Sequence, residues 1–152
     1  MEGDSLTVER VIAAPPEAIF RLLADAGSHA RIDGSGTLKG AKEPSQQLTL
    51  GSRFGMSMRQ GVPYSVVNEV VEFEPNRLIA WAPGMEGILA RLSPHGRRWR
   101  YELEPVEGGT RVRETWDISQ DSFKAFFRRG RLPERIRTAM EATLERIEKL
   151  VT

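Results

Sequence analysis

Three side chains stand out as candidates for proton chemistry, Glu114, Tyr101 and His29, because a carboxyl, a phenol and an imidazole are groups that proteins tune for general acid and base work. Glu114 lies in the run from Thr110 to Ile118, where strict alternation places it beside Val112 and Trp116 on one face. A carboxylate on a buried apolar face is costly unless paired, and without a basic neighbour its pKa rises. Such a group would serve as a general acid or base, or as a hydrogen-bonding anchor for a ligand hydroxyl or carbonyl. The competing reading is a salt bridge to an arginine, or a wet strand at the mouth of a cavity. Tyr101 shares a side with Trp99 and Leu103 in the neighbouring run from Trp99 to Pro105. His29 and Asp33 are four residues apart, a spacing that puts both on one face of a helix, where the carboxylate would orient the imidazole for proton transfer. Gly34 follows at once and argues against a helix there; the plainer alternative is a histidine at the surface or the mouth.

Other chemistries lack their residues. The chain has no cysteine, and His29 and His95 are its two histidines, so a disulfide or a structural zinc site is not expected, and no three ligands fall at a metal-binding spacing. Gly34-Ser35-Gly36 has neither the lysine nor the strand-to-helix setting of a phosphate loop, and no serine sits in a nucleophile elbow. No cofactor is expected.

The elements that must position these residues read as one α+β domain over residues 1–152. The run from Ser5 to Ile12 alternates like a first strand, with Leu6, Val8 and Arg10 on one side. Pro15-Pro16 opens an amphipathic helix through Ile19, Phe20, Leu22 and Leu23, and His29 to Ile32 forms a second helical turn. The glycines of Gly34-Ser35-Gly36 suit a turn and would leave room for a ligand. From Thr37 onward about six strand-like runs follow at short intervals, the rhythm of an antiparallel meander. They include Arg53 to Gln60, Tyr64 to Phe73, Arg77 to Ala82, and a hairpin of Trp99 to Pro105 with Thr110 to Ile118 across Gly108-Gly109. The inward side of Tyr64 to Ala82 is ambiguous, because both faces are apolar. A long amphipathic helix starts near Pro133 and runs through Ile136, Met140, Leu144, Ile147 and Leu150.

Phe54, Met56 and Met58 alternate on one side of their strand and, with Trp81, Trp99, Tyr101 and Trp116, form an aromatic and thioether set suited to an adaptable pocket wall. Val112 and Glu114 complete the sheet side of that wall, and Ile136, Met140 and Leu144 the helix side. Ordinary core packing is the competing reading of the apolar members. A basic cluster, Lys124, Arg128, Arg129, Arg131, Arg135 and Arg137, is interleaved with Phe123, Phe126 and Phe127. It reads either as a solvated helix whose phenylalanines pack and whose arginines pair with Glu134 and Asp121, or as a surface for transient contact with an anionic membrane or with an acidic ligand near the pocket mouth.

The order of elements, with Phe73-Glu74-Pro75-Asn76-Arg77, Gly108-Gly109-Thr110-Arg111-Val112 and Glu114-Thr115-Trp116-Asp117, resembles the START-like (SRPBCC, Bet v 1-like) helix-grip superfamily. Within it the chain is most similar to the bacterial polyketide cyclase/dehydrase and lipid-transport group. The resemblance implies a curved antiparallel sheet of about seven strands wrapped around the C-terminal helix, two short helices after the first strand, and a deep cavity for a lipid, polyketide or aromatic metabolite. It brings no catalytic residue with it, since the superfamily shares no universal catalytic motif.

Three functions therefore stand. The first is a carrier or sensor of a small hydrophobic ligand; the second is a cyclase- or dehydrase-like enzyme using Glu114, Tyr101 or His29. The third is a non-catalytic interaction module working through Phe123 to Arg137. With a formal net charge of +1, the chain has no overall field to draw nucleic acid, and no apolar run reaches the roughly 18 residues of a membrane span. Without a recognisable signal peptide it is expected in the cytoplasm, as a monomer or homodimer.

Overall fold

The alternating runs pair into a seven-stranded antiparallel sheet in a computed structural model that describes residues 1–41, 46–84 and 96–152. The strands are β1 (Ser5–Ile12), β2 (Leu38–Ala41), β3 (Arg53–Gln60), β4 (Val62–Glu74), β5 (Leu78–Gly84), β6 (Arg98–Val106) and β7 (Gly109–Asp117), in the order β1-β7-β6-β5-β4-β3-β2. Consecutive strands from β2 to β7 are neighbours, and β7 returns to pair with β1. Between β1 and β2 lie α1 (Pro16–Leu23), a short 3₁₀ turn at Ala26–Ser28, and α2 (His29–Ile32); α3 (Lys124–Phe127) and α4 (Leu132–Val151) follow β7. This is the helix-grip arrangement, with two short helices after the first strand and a long one at the end. His95 lies outside the described residues.

The ambiguous stretch is resolved by a β-bulge. Register between β4 and β5 shifts between Val70 and Glu72, so the extra residue, Val71, reverses the alternation. Val66, Asn68 and Val70 face inward before the bulge and Phe73 after it, where Phe73 pairs with Ile79. A strand with a bulge in its middle shows apolar residues on both sides of a strict two-residue period. β4 also starts earlier than Tyr64, because Gly61, at φ 82°, makes a tight turn that brings Pro63 opposite Arg59. At the β4–β5 turn Asn76 adopts φ 62°, a left-handed conformation that asparagine tolerates better than most residues. The β6–β7 turn needs glycine for two reasons: Gly109 has φ 144°, and a Cβ there would lie 2.0 Å from the Ile12 carbonyl oxygen.

Pro133 sits in the first turn of α4, which buries Met140, Thr143, Leu144 and Ile147 at helical spacing. The helix packs on β1, α1 and α2. Arg10, in register with Leu6, Val8 and Ile12 on β1 but itself exposed, pairs with Glu148 at 2.9 Å. Gly34 does not leave space for a ligand. A Cβ at that position would come 2.4 Å from the Ala139 carbonyl oxygen, and the Gly34 N–H donates to Thr143 Oγ1 at 2.9 Å. The glycine lets the loop after α2 lie directly against α4.

Candidate functional site

Four strands bring the candidate residues together. Phe54 on β3, Trp81 on β5 and Tyr101 on β6 face the same interior as Glu114 on β7, and α2 adds His29 from the open side of the sheet. Trp81 stacks between two rings, with His29 at 4.6 Å and Tyr101 at 5.4 Å between centroids. Phe54 meets both His29 and Trp81 edge-on, at 5.3 and 5.9 Å. Such offset and edge contacts are favoured by ring quadrupoles and lock the group beyond what area burial alone would do. Tyr101 then stands directly opposite Glu114 in the β6–β7 ladder.

Glu114 is 2% exposed, and its Oε1 has no hydrogen-bond partner among the described residues. Burial pushes its carboxyl up to about 8; a hydrogen bond from the Tyr101 hydroxyl draws it back in part, and the charge of Asp33 adds a further upward push. No described arginine reaches it, so the salt-bridge reading does not hold. The Tyr101 phenol is pushed well above its ordinary value, first by burial and then by Glu114. At neutral pH the pair is therefore a protonated carboxyl beside a neutral phenol, polar and uncharged.

His29 and Asp33 do not form the pair that their spacing suggests. His29 Nε2 donates to the Leu23 carbonyl oxygen at 2.8 Å, which fixes the proton on that nitrogen. Its pKa is lowered by burial, so the ring is neutral at pH 7. Asp33 instead accepts from Ser35 N and Leu38 N, both at 3.0 Å, and from the Ser35 hydroxyl. α2 ends at Ile32, and Asp33 turns to cap the loop beyond it.

The remaining candidates lie around this group. Met56, Val112, Met140 and Leu144 are buried in the same core, whereas Met58, Trp99 and Ile136 pack on it half-buried. Trp99 and Trp116 approach to 6.1 Å. Asn68, buried and facing inward opposite Phe54 and Pro83, belongs to the interior too, as a polar group that the sequence reading missed. The larger surface groove, about 440 Å³, lies elsewhere, between the start of α1 and the β6–β7 hairpin, where Glu17, Arg77, Glu104 and Arg111 line it. Neither that groove nor a second at Arg131 and Arg135 includes a residue of the Glu114 group. Among the described residues, no three histidines, aspartates or glutamates gather as a metal site, and no helix is long and apolar enough to cross a membrane.

The basic segment departs from the packed reading. Phe127 packs on the core, edge-on to Trp116 at 6.0 Å and under the Arg97 guanidinium at 5.2 Å; Phe126 meets Phe127 edge-on at 5.6 Å but stays largely exposed, as does Phe123. Arg128 and Lys124 pair with Asp4, at 2.7 and 3.4 Å, while Asp121 lies 3.7 Å from Arg97.

Comparison with known proteins agrees with this architecture. A protein of Chromobacterium violaceum, CV1439, superposes with a TM-score of 0.71 at 17% identity, covering 97% of this chain and 96% of that one. An Arthrobacter aurescens protein gives 0.74 at 14% identity over 99% and 87% of the two chains, and Ms6760 of Mycobacterium smegmatis gives 0.72 at 16% over 97% and 90%. These likenesses concern the fold alone. In sequence, an uncharacterized Mycobacterium tuberculosis protein, Rv0088, is 36% identical over 130 residues, which is 76% of this chain and 54% of that protein. The chain thus spans about half the length of the curated relatives it matches. The family model described as polyketide cyclase/dehydrase and lipid transport matches residues 4–152, and the chain, with its helix-grip fold, belongs to that family of hydrophobic-ligand-binding proteins.

Proposed function

We propose that the chain binds a small hydrophobic molecule bearing one hydroxyl or carbonyl group, in the interior between the sheet and α4, with Glu114 and Tyr101 as its polar anchor. The observation that carries this reading is the unpartnered Glu114 Oε1 in a largely aromatic and aliphatic interior. A buried polar atom without a partner costs roughly 1–3 kcal/mol, a cost that a ligand hydroxyl or carbonyl would relieve. The protonated carboxyl can donate to a carbonyl or accept from a hydroxyl. The surrounding wall is aromatic and thioether, and Met56, Met58 and Met140 have the flexibility to reshape around an irregular guest.

A second reading rests on a separate observation. A carboxyl that titrates at about 8 is matched to proton transfer near neutral pH, so Glu114 would act as general acid or base on a bound polyketide-like substrate. His29 has its Nε2–H committed to Leu23, and it serves here as part of the wall.

Native mass spectrometry of the purified chain, followed by organic extraction, tests the binding reading. A stoichiometric hydrophobic adduct, weakened by Tyr101→Phe, is the expected result. No adduct, together with no thermal shift across lipid and aromatic-metabolite panels, would overturn it in favour of an interaction module. Glu114→Gln separates the two readings: retained binding with turnover lost marks an enzyme, whereas weakened binding with no turnover in either form marks a carrier or sensor.

A further inference from the structure

We infer that the surface formed by α3 and the first turns of α4 docks on a bilayer bearing anionic lipid headgroups. Every residue from 122 to 131 except Phe127 is exposed. Phe123 and Phe126 are 41% and 60% exposed, and they are the two exposed aromatic rings among the described residues. They stand three apart on one helical turn, where the Phe126 N–H donates to the Phe123 carbonyl at 3.0 Å, so both rings project from the same side. Phe127 is the fixed foot of this segment, held against Trp116 and Arg97.

Cations are interleaved with the two rings along the chain. Lys124 and Arg128 are partly neutralised by Asp4, and Arg137 donates to the Thr7 carbonyl. Arg129, Arg131 and Arg135 carry no ion pair or side-chain hydrogen bond among the described residues. Arg131 and Arg135 flank a shallow groove of about 350 Å³ with Glu134 and Thr138. Six basic residues and one acid, Glu134, fall between 123 and 137 in a chain whose formal charge is only +1, so the rest of the molecule is net acidic. That asymmetry turns this end toward a negative surface and the remainder away from it. Two apolar rings ringed by arginine fit a headgroup boundary, where the rings enter the acyl edge and the guanidinium groups remain with the phosphates.

The test is vesicle co-sedimentation of the full chain, with phosphatidylcholine alone and with phosphatidylcholine mixed with phosphatidylglycerol, at low and high salt. Binding only to the anionic vesicles, lost at high salt, is expected. Arg129→Ala, Arg131→Ala and Arg135→Ala should each weaken it about five-fold, and Phe126→Ala about ten-fold, with melting temperatures unchanged because all four side chains are exposed. Absence of binding to anionic vesicles at low salt would overturn the inference. So would binding that Phe126→Ala leaves untouched while heparin competes fully, which would mark a soluble polyanion as the partner. Neither outcome bears on the Glu114 site, which is buried elsewhere in the fold.

Discussion

The interior around Glu114 and the surface around Phe126 use the same ingredients, aromatic rings beside ionisable groups, and burial sends them in opposite directions. Inside, Glu114 is buried with no counter-charge among the described residues, so it holds its proton to about pH 8 and behaves as a neutral hydrogen-bonding group. Outside, Arg129, Arg131 and Arg135 are exposed, and Phe123 and Phe126 keep their apolar area in water. The difference teaches that one residue type carries two functions here: an arene is a wall when its neighbours cover it, and an exposed contact surface when they do not.

The comparison breaks most visibly by truncating one ring on each side. Trp116→Ala empties a fully buried position and should cost about 3–5 kcal/mol of stability. Phe126→Ala should stay within roughly 0.5 kcal/mol. Chemical denaturation of both variants checks the contrast.

Protonation gives the next largest effect. The Glu114 pKa is raised in the folded state, so the folded chain binds the extra proton: its stabilising contribution is complete below the ordinary value of 4.5 and is lost as pH rises to about 8. At roughly 1.4 kcal/mol per pH unit, the loss is on the order of 5 kcal/mol. His29 works the other way, because its lowered pKa removes stability as pH falls below the ordinary histidine value of 6.5. Stability should therefore decline from pH 6.5 toward 8, and Glu114→Gln should flatten that decline in thermal melts across the range.

Smaller effects sharpen the picture. Tyr101→Phe removes the hydrogen bond that draws the Glu114 pKa down. It should cost about 1 kcal/mol and move the carboxyl titration further upward, as read by melts and by NMR. Asp4→Ala releases Lys124 and Arg128. Its stability cost should fall in the roughly 0–1 kcal/mol range of surface ion pairs, while affinity for anionic vesicles rises in co-sedimentation.

Much of this was legible in the alternation of the chain. Val112, Glu114 and Trp116 share a face because the period of a strand is two, and β7 contains no bulge, so Glu114 could be placed inside from sequence alone. The same rule failed on β4, where Val71 breaks the period and hid Asn68. The His29–Asp33 pairing failed because α2 ends one residue too early, which leaves Asp33 free to cap its own loop. Gly34 was misread for a different reason: its missing side chain accommodates Ala139 of α4, a contact more than a hundred residues away in sequence. The exposure of Phe123 and Phe126 likewise depends on tertiary packing, since a sequence shows that rings are near arginines without showing what covers them.

The measurement closest to the central claim is a carbon-13 NMR pH titration of the Glu114 side-chain carboxyl, assigned by its loss in Glu114→Gln, with and without a hydrophobic ligand bearing a hydroxyl group. A midpoint near 8 in the free chain is expected, with a clear change in that midpoint when the ligand binds. A midpoint near 4.5, unmoved by any ligand that shifts the melting temperature, would contradict that claim.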